Sequence, residues 1–170
     1  MEKEKILPKA TLGFIIQENK VWLAIKTRHI GKGCRNGYGG GFKNGETSEM
    51  CLKRELRGET KKVIGPKYYE KMGIIYFHNK TEEGKKFVCE VDIYLIKGYK
   101  GEPKETKEMK DPKKFLINRL PFKKLMPADK KWLPIILSGH KLIAHFYYGP
   151  RQKKLIRKEK IKIVKILPKN

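Results

Sequence analysis

Gly40-Gly41-Phe42-Lys43-Asn44-Gly45-Glu46, followed by Arg54-Glu55-Leu56-Arg57-Gly58-Glu59, decides how this chain folds. The first stretch ends a glycine-dense segment, residues 31–45, that no regular helix accommodates and that reads as turns flanking a close backbone approach. The second lies in residues 47–64, where Met50, Leu52, Leu56 and Val63 recur at helical spacing and Thr47 or Ser48 is available as N-cap. On such a helix Glu55 and Glu59 stand four residues apart and project from one face. Two like charges so placed repel. A divalent cation offsets them, because hard carboxylate oxygens are the ligands Mg²⁺ prefers, with substrate phosphates completing its shell. Arg54, beside this face, is placed to pair with Glu46 and so hold the glycine loop against the helix. Two glutamates alone read equally as a solvated charged face.

Outward from this segment the period changes to that of strands. Residues 11–17 and 21–26 are apolar runs around a polar Glu18-Asn19-Lys20 break, which predicts a hairpin. Residues 71–78 and 86–96 follow, the second with Phe87, Cys89, Val91, Ile93 and Leu95 on one side. Residues 101–114 are polar and read as a loop, with a short apolar run at 115–117. Residues 127–138 predict a second helix, kinked or shortened by Pro134. Residues 141–148 and 161–167 read as late strands. The alternation predicts an α+β fold, an α/β/α sandwich on a mixed sheet, as one domain over 1–170 with its core at about 8–150 and a basic strand or tail at 151–170.

A chain of 170 residues with 39% hydrophobic content can bury one real core. The excess of 41 Lys+Arg over 18 Asp+Glu gives +23 and a field that draws in anions. Lysines dominate that excess, and lysine is the poorer residue for planar phosphate recognition, so charge alone names no partner. No apolar run has the ~20 residues a membrane span needs, and residues 1–9 are charged rather than signal-like. Cys34, Cys51 and Cys89 form an odd set without a C-x-x-C pair, which argues against a disulfide framework or a cysteine zinc site. A cytoplasmic, membrane-free protein is the expectation.

The central stretch resembles the signature box of the Nudix hydrolases: Gly, five residues, Glu, seven residues, Arg-Glu-aliphatic, any residue, Glu-Glu, any residue, Gly, aliphatic. Gly40, Glu46, Arg54, Glu55, Leu56 and Glu59 match it at the right spacing. Gly58 stands where the first Glu of the pair belongs, and Lys61 and Lys62 replace the final Gly-aliphatic step. A glycine inside a helix costs about 1 kcal/mol relative to Ala. Without the box's closing glycine, the helix is expected to run on toward Gly65-Pro66.

The resemblance covers about residues 11–149 and extends to the animal-type members that act on oxidised purine nucleotides, through Arg35-Asn-Gly-Tyr-Gly-Gly40, Glu108-Met109, Leu120-Pro-Phe-Lys123 and Met126-Pro-Ala-Asp-Lys-Lys-Trp-Leu-Pro134. It implies an enzyme that hydrolyses nucleoside triphosphates to monophosphate and pyrophosphate with Mg²⁺, or Mn²⁺ in its place, in sanitation of the nucleotide pool. By the same resemblance Glu55 and Glu59 bind metal together with the Gly40 carbonyl and Glu108. Glu46 orients Arg54 or acts as base, Lys26 lies on the phosphate side, Asn36 reads the base and Thr11 forms a pocket wall. Asp129 falls on the second of two adjacent aspartates that read the purine edge; the first is Ala128 here, and the stacking tryptophan is Met126. Read alone, Asn36 is a turn residue before Gly37, and Trp132 is core. Two alternatives stand beside this reading: an RNA 5′-end pyrophosphohydrolase that uses the basic surface to hold a polyanion, and a catalytically weak nucleotide-binding module, motivated by Gly58. No protein partner is expected.

Overall fold

Phe14 and Ile15 are adjacent in sequence yet end in different cores, as the two-residue period of a strand buried on both faces requires. The computed structural model describes residues 4–60 and 68–169, the side chains of Glu59 and Thr60 excepted. Its strands are β1 (Lys9–Gln17), β2 (Lys20–Lys26), β3 (Arg35–Asn36), β4 (Tyr38–Gly41), β5 (Tyr69–Lys80), β6 (Lys86–Ile96), β7 (Met109–Leu116), β8 (Lys141–Tyr148) and β9 (Leu155–Val164). The helices are α1 (Ser48–Thr60) and α2 (Asp129–Leu137). The sheet runs β3-β2-β1-β6-β5-β8-β9, with β4 added to β1 and β7 to β2. It is mixed: β1 and β6 are parallel, as are β5 and β8, and the remaining pairs are antiparallel.

Each helix covers one face. Leu52 and Leu56 of α1 pack on Ile15, Tyr38, Tyr94 and Ile96. Trp132, Leu133 and Ile136 of α2 pack on Phe14, Ile75, Leu142 and Phe146 on the other side. Cys89, Val91, Ile93 and Leu95 of β6 fall together in this second core, as their alternation predicts. Trp132 is 1% exposed and meets Phe14 edge to face, so it is core. The α/β/α sandwich on a mixed sheet is the observed fold.

Several boundaries differ from the sequence reading. The glycine-dense segment contains two short strands: β3, which pairs with β2, and β4, whose Gly39, Gly40 and Gly41 pair with the β1 backbone. The polar stretch 101–114 holds most of β7, which lies along β2 with its lysines exposed, so no apolar alternation marks it. The last strand spans Leu155–Val164 rather than 161–167, and it closes the sheet on β8. Pro134 sits inside the nine-residue α2 without ending it. The expected extension of α1 toward Gly65, with Lys61 and Lys62 near its end, lies outside the described residues.

Candidate active site

Helix α1 is fixed at its start. The Thr47 hydroxyl accepts from the Met50 N–H at 3.2 Å, an N-cap, and the Ser48 and Tyr94 hydroxyls are 2.6 Å apart. With Leu52 and Leu56 fully buried, the helix can turn Arg54 and Glu55 only toward β4 and the loop that follows it. Arg54 is the hub. Its Nε and Nη2 donate to the two Glu46 oxygens at 2.6 and 2.8 Å, Nη2 also to the Gly41 carbonyl at 2.9 Å, and Nη1 to Glu55 Oε1 at 2.7 Å. One guanidinium thus joins loop, glycine strand and helix.

The Arg54 hydrogen bonds, reinforced by the Lys43 backbone N–H, hold the Glu46 carboxyl down to about 2. A carboxylate that acidic is a poor proton acceptor near neutrality, so of the two roles expected for Glu46 the geometry favours orienting Arg54 over acting as base. Gly40 is required by close approach. A Cβ there would stand 2.6 Å from the Glu55 carboxyl carbon and from Oε1. The carboxylate therefore rests directly on the strand backbone, where a larger residue would displace it.

Beside this assembly lies a cavity of about 270 Å³, near the lower end of the usual range for small-molecule sites. Lys26, Asn36, Gly40, Glu55, Glu108 and Met126 all line it, six of the expected site residues brought together from five parts of the sequence. Lys26 Nζ donates to the Ile30 carbonyl at 2.7 Å, and Glu108 pairs with Arg28. Asn36 lies in β3 opposite Ala24 rather than in the turn that its position before glycine predicts; its Oδ1 accepts from the Gly37 N–H at 2.8 Å, and it lines the cavity.

Three expected pocket residues are placed elsewhere. Thr11 is 2% exposed and its hydroxyl lies 3.3 Å from Cys51 Sγ, under α1, because the alternation of β1 turns it to that face. Ala128 is fully buried, its N–H donating to the Tyr148 hydroxyl at 2.8 Å. Asp129 accepts from the Met126 N–H at 3.1 Å and is 6% exposed; burial pushes its carboxyl up to about 7 against the pull of that hydrogen bond, the Trp132 indole and Lys26. The Glu59 side chain lies outside the described residues. Among those described, no three acidic, histidine or cysteine side chains gather as a metal cluster. Glu55 and the Gly40 carbonyl still supply adjacent hard oxygens, the donor type that Mg²⁺ takes. Glu108 reaches the same cavity from the residue just before β7, with Arg28 as its partner.

The sequence reading missed Asn79, Phe87 and Gln152, which also line the cavity. They come from the end of β5, the start of β6 and the β8–β9 turn. No local signal marked them: Asn79 stands between His78 and Lys80 at the polar end of β5.

No protein-family model matches the chain. Solved structures share its architecture. A MutT protein of Bacillus halodurans superposes with a TM-score of 0.72 at 21% identity over 91% of this chain and 97% of its own. A MutT Nudix hydrolase of Burkholderia pseudomallei superposes at 0.63 and 19% identity, over 79% and 98%. Fold, box and curated relatives agree: the chain belongs to the Nudix hydrolases. Two of those relatives carry the name oxidized purine nucleoside triphosphate hydrolase. The one from Danio rerio is 33% identical over 140 residues, 81% of this chain and 85% of the relative. The one from Mus musculus is 34% identical over 138 residues, with the same coverage.

Proposed function

We propose that this chain is a pyrophosphohydrolase that cleaves nucleoside triphosphates to the monophosphate and pyrophosphate, serving the nucleotide pool in the cytoplasm as one domain. The observation that carries this is the bracing of Glu55 by Arg54 and Gly40 at the wall of a cavity that also holds Lys26. Among the described residues no helix is long and apolar enough to cross a membrane.

Each residue has a task in the reaction. Glu55 and the Gly40 carbonyl would hold Mg²⁺, with Glu59 and Glu108 as further oxygens; the ion supplies charge neutralisation and acidifies water. Arg54 fixes the direction of the Glu55 carboxylate, and Glu46 fixes Arg54. Lys26 balances negative charge on the polyphosphate. A water oxygen forms a new bond to phosphorus as a phosphoanhydride bond breaks, and the leaving phosphate keeps the bridging electrons. The relatives' name, the Met126 contact surface and the polar cavity wall support a purine substrate, oxidised or not. Mg²⁺-dependent pyrophosphate release from a panel of dNTPs and 8-oxo-dNTPs tests the reading; no release from any of them would overturn it.

A second reading, cleavage at the 5′ triphosphate of RNA, draws on the outer face of β5, β8 and β9. Tyr76 stacks on His145 and His78 on Tyr147 there, with the Arg157 guanidinium 4.6 Å above the Tyr147 ring. Turnover of triphosphorylated RNA that falls steeply with salt, beside mild salt dependence on free nucleotides, would favour it.

A further inference from the structure

Neither of the two positions expected at the purine edge lines this cavity: Ala128, which has no carboxylate, is buried and Asp129 is turned inward onto the Met126 N–H. A pair of polar side chains from elsewhere does. Gln152 Nε2 donates to Asn79 Oδ1 at 2.9 Å, and Asn79 Nδ2 donates to the Phe77 carbonyl at 3.0 Å. That carbonyl can only accept, so it fixes which end of the Asn79 amide is nitrogen. Asn79 then fixes Gln152, leaving its Oε1 and second N–H as an acceptor beside a donor.

The backbone spends conformational energy to keep Gln152 there. Arg151 and Gln152 are consecutive non-glycine residues with φ of 56° and 54°, in the sparsely populated left-handed region. The turn is over-determined. The Glu4 carboxylate accepts from the Arg151 N–H at 2.9 Å and from the Glu82 N–H at 2.9 Å, while Arg151 Nε pairs with Glu82 at 3.0 Å and the Gln152 N–H bonds the Gly149 carbonyl at 3.1 Å. A turn needed only to join β8 to β9 would be met by residues that sit in this region without cost.

We propose that Gln152, oriented by Asn79, reads the nucleobase edge in this cavity and selects bases that present a donor beside an acceptor. An amide matches adenine's N6–H and N7, or guanine's N1–H and O6, in this way, whereas a purine with no exocyclic group presents ring acceptors alone. The inference rests on the nucleotide reading above and adds to it the residue that sets base preference. Gln152 acts on binding, so its loss is felt in KM.

The test is kcat and KM for ATP, GTP and purine riboside triphosphate in wild type, Q152A and Q152E. In Q152A the preference in kcat/KM for ATP and for GTP over purine riboside triphosphate falls at least tenfold, through KM, with kcat within threefold. In Q152E, which only accepts, the ratio of GTP to ATP rises, because guanine's N1–H and N2–H are adjacent donors and adenine has no such pair. Circular dichroism checks that both variants fold, and Q152E, nearly isosteric, carries the test if Q152A does not. A ratio unmoved within twofold in the folded variants overturns the proposal while leaving the nucleotide reading intact. If wild type turns over no triphosphate, the nucleotide reading fails, and calorimetric binding of AMP, GMP and purine riboside monophosphate to the same proteins decides this one by the same ratios. There too, an unmoved ratio or no binding overturns it.

Discussion

The two ends of the cavity are built differently. At the carboxylate end, Gly40, Glu46, Arg54 and Glu55 come from one short stretch, and a single guanidinium ties them together. At the far end, Asn79, Met126 and Gln152 come from separate strands and turns, and the turn itself is held by Glu4 and Glu82. Chemistry common to a family can be packed into a local motif, because a helix and its preceding loop fix the spacing. Discrimination among bases is assembled across the fold, where each contributor can change without disturbing the others.

The comparison can be broken at several points. Glu55→Gln keeps the shape but removes the charge at the motif end, and should lower turnover by about a thousandfold or more with little change in melting temperature; near-wild-type turnover would place the chemistry elsewhere. Asp129, behind the far end, should dominate the pH dependence of stability. Its folded value of about 7 lies above the ordinary 3.8 because burial disfavours the charge. Its stabilising contribution is therefore complete below about 4 and is lost as pH rises through about 7. Asp129→Asn should flatten that loss by a few kcal/mol in urea unfolding compared between pH 5 and pH 8.

Smaller effects sharpen the contrast. Gly40→Ala puts a methyl 2.6 Å from the Glu55 carboxyl group, and the displacement should cost about a hundredfold in kcat without unfolding the protein. Gly58→Glu meets open space. It restores a carboxylate to the motif and removes a helical glycine worth up to about 1 kcal/mol, so the Mg²⁺ concentration needed for half-maximal activity should fall a few fold and the melting temperature rise slightly.

Legibility in the sequence followed the same division. The hairpin, β6, β8, α1 and the Arg54–Glu46 pair were readable because periodicity and spacing are local. β4 was not, since its glycines carry no apolar alternation, nor was β3, only two polar residues long, and β7 was hidden by its exposed lysines. Thr11 and Ala128 were expected at the pocket through resemblance, but the strand period and the Tyr148 hydroxyl bury them. Gln152 could not be found: its role depends on Asn79, seventy-three positions away, and on a turn whose dihedrals leave no mark in composition.

The three thiols give the molecule built-in clocks. Cys34 is partly exposed. Cys51 is fully enclosed between α1 and β4, its Sγ 3.4 Å from the Gly40 carbonyl, and Cys89 belongs to the core on the opposite face. A disulfide reagent added to the native protein should therefore react first at Cys34, while labelling of Cys51 reports how often the catalytic helix lifts from the glycine strand. Substrate that braces Glu55 should slow the Cys51 clock, and because Cys89 lines the same cavity it should shield Cys89 as well while leaving Cys34 as the reference, which makes the opening of the site measurable without an introduced probe.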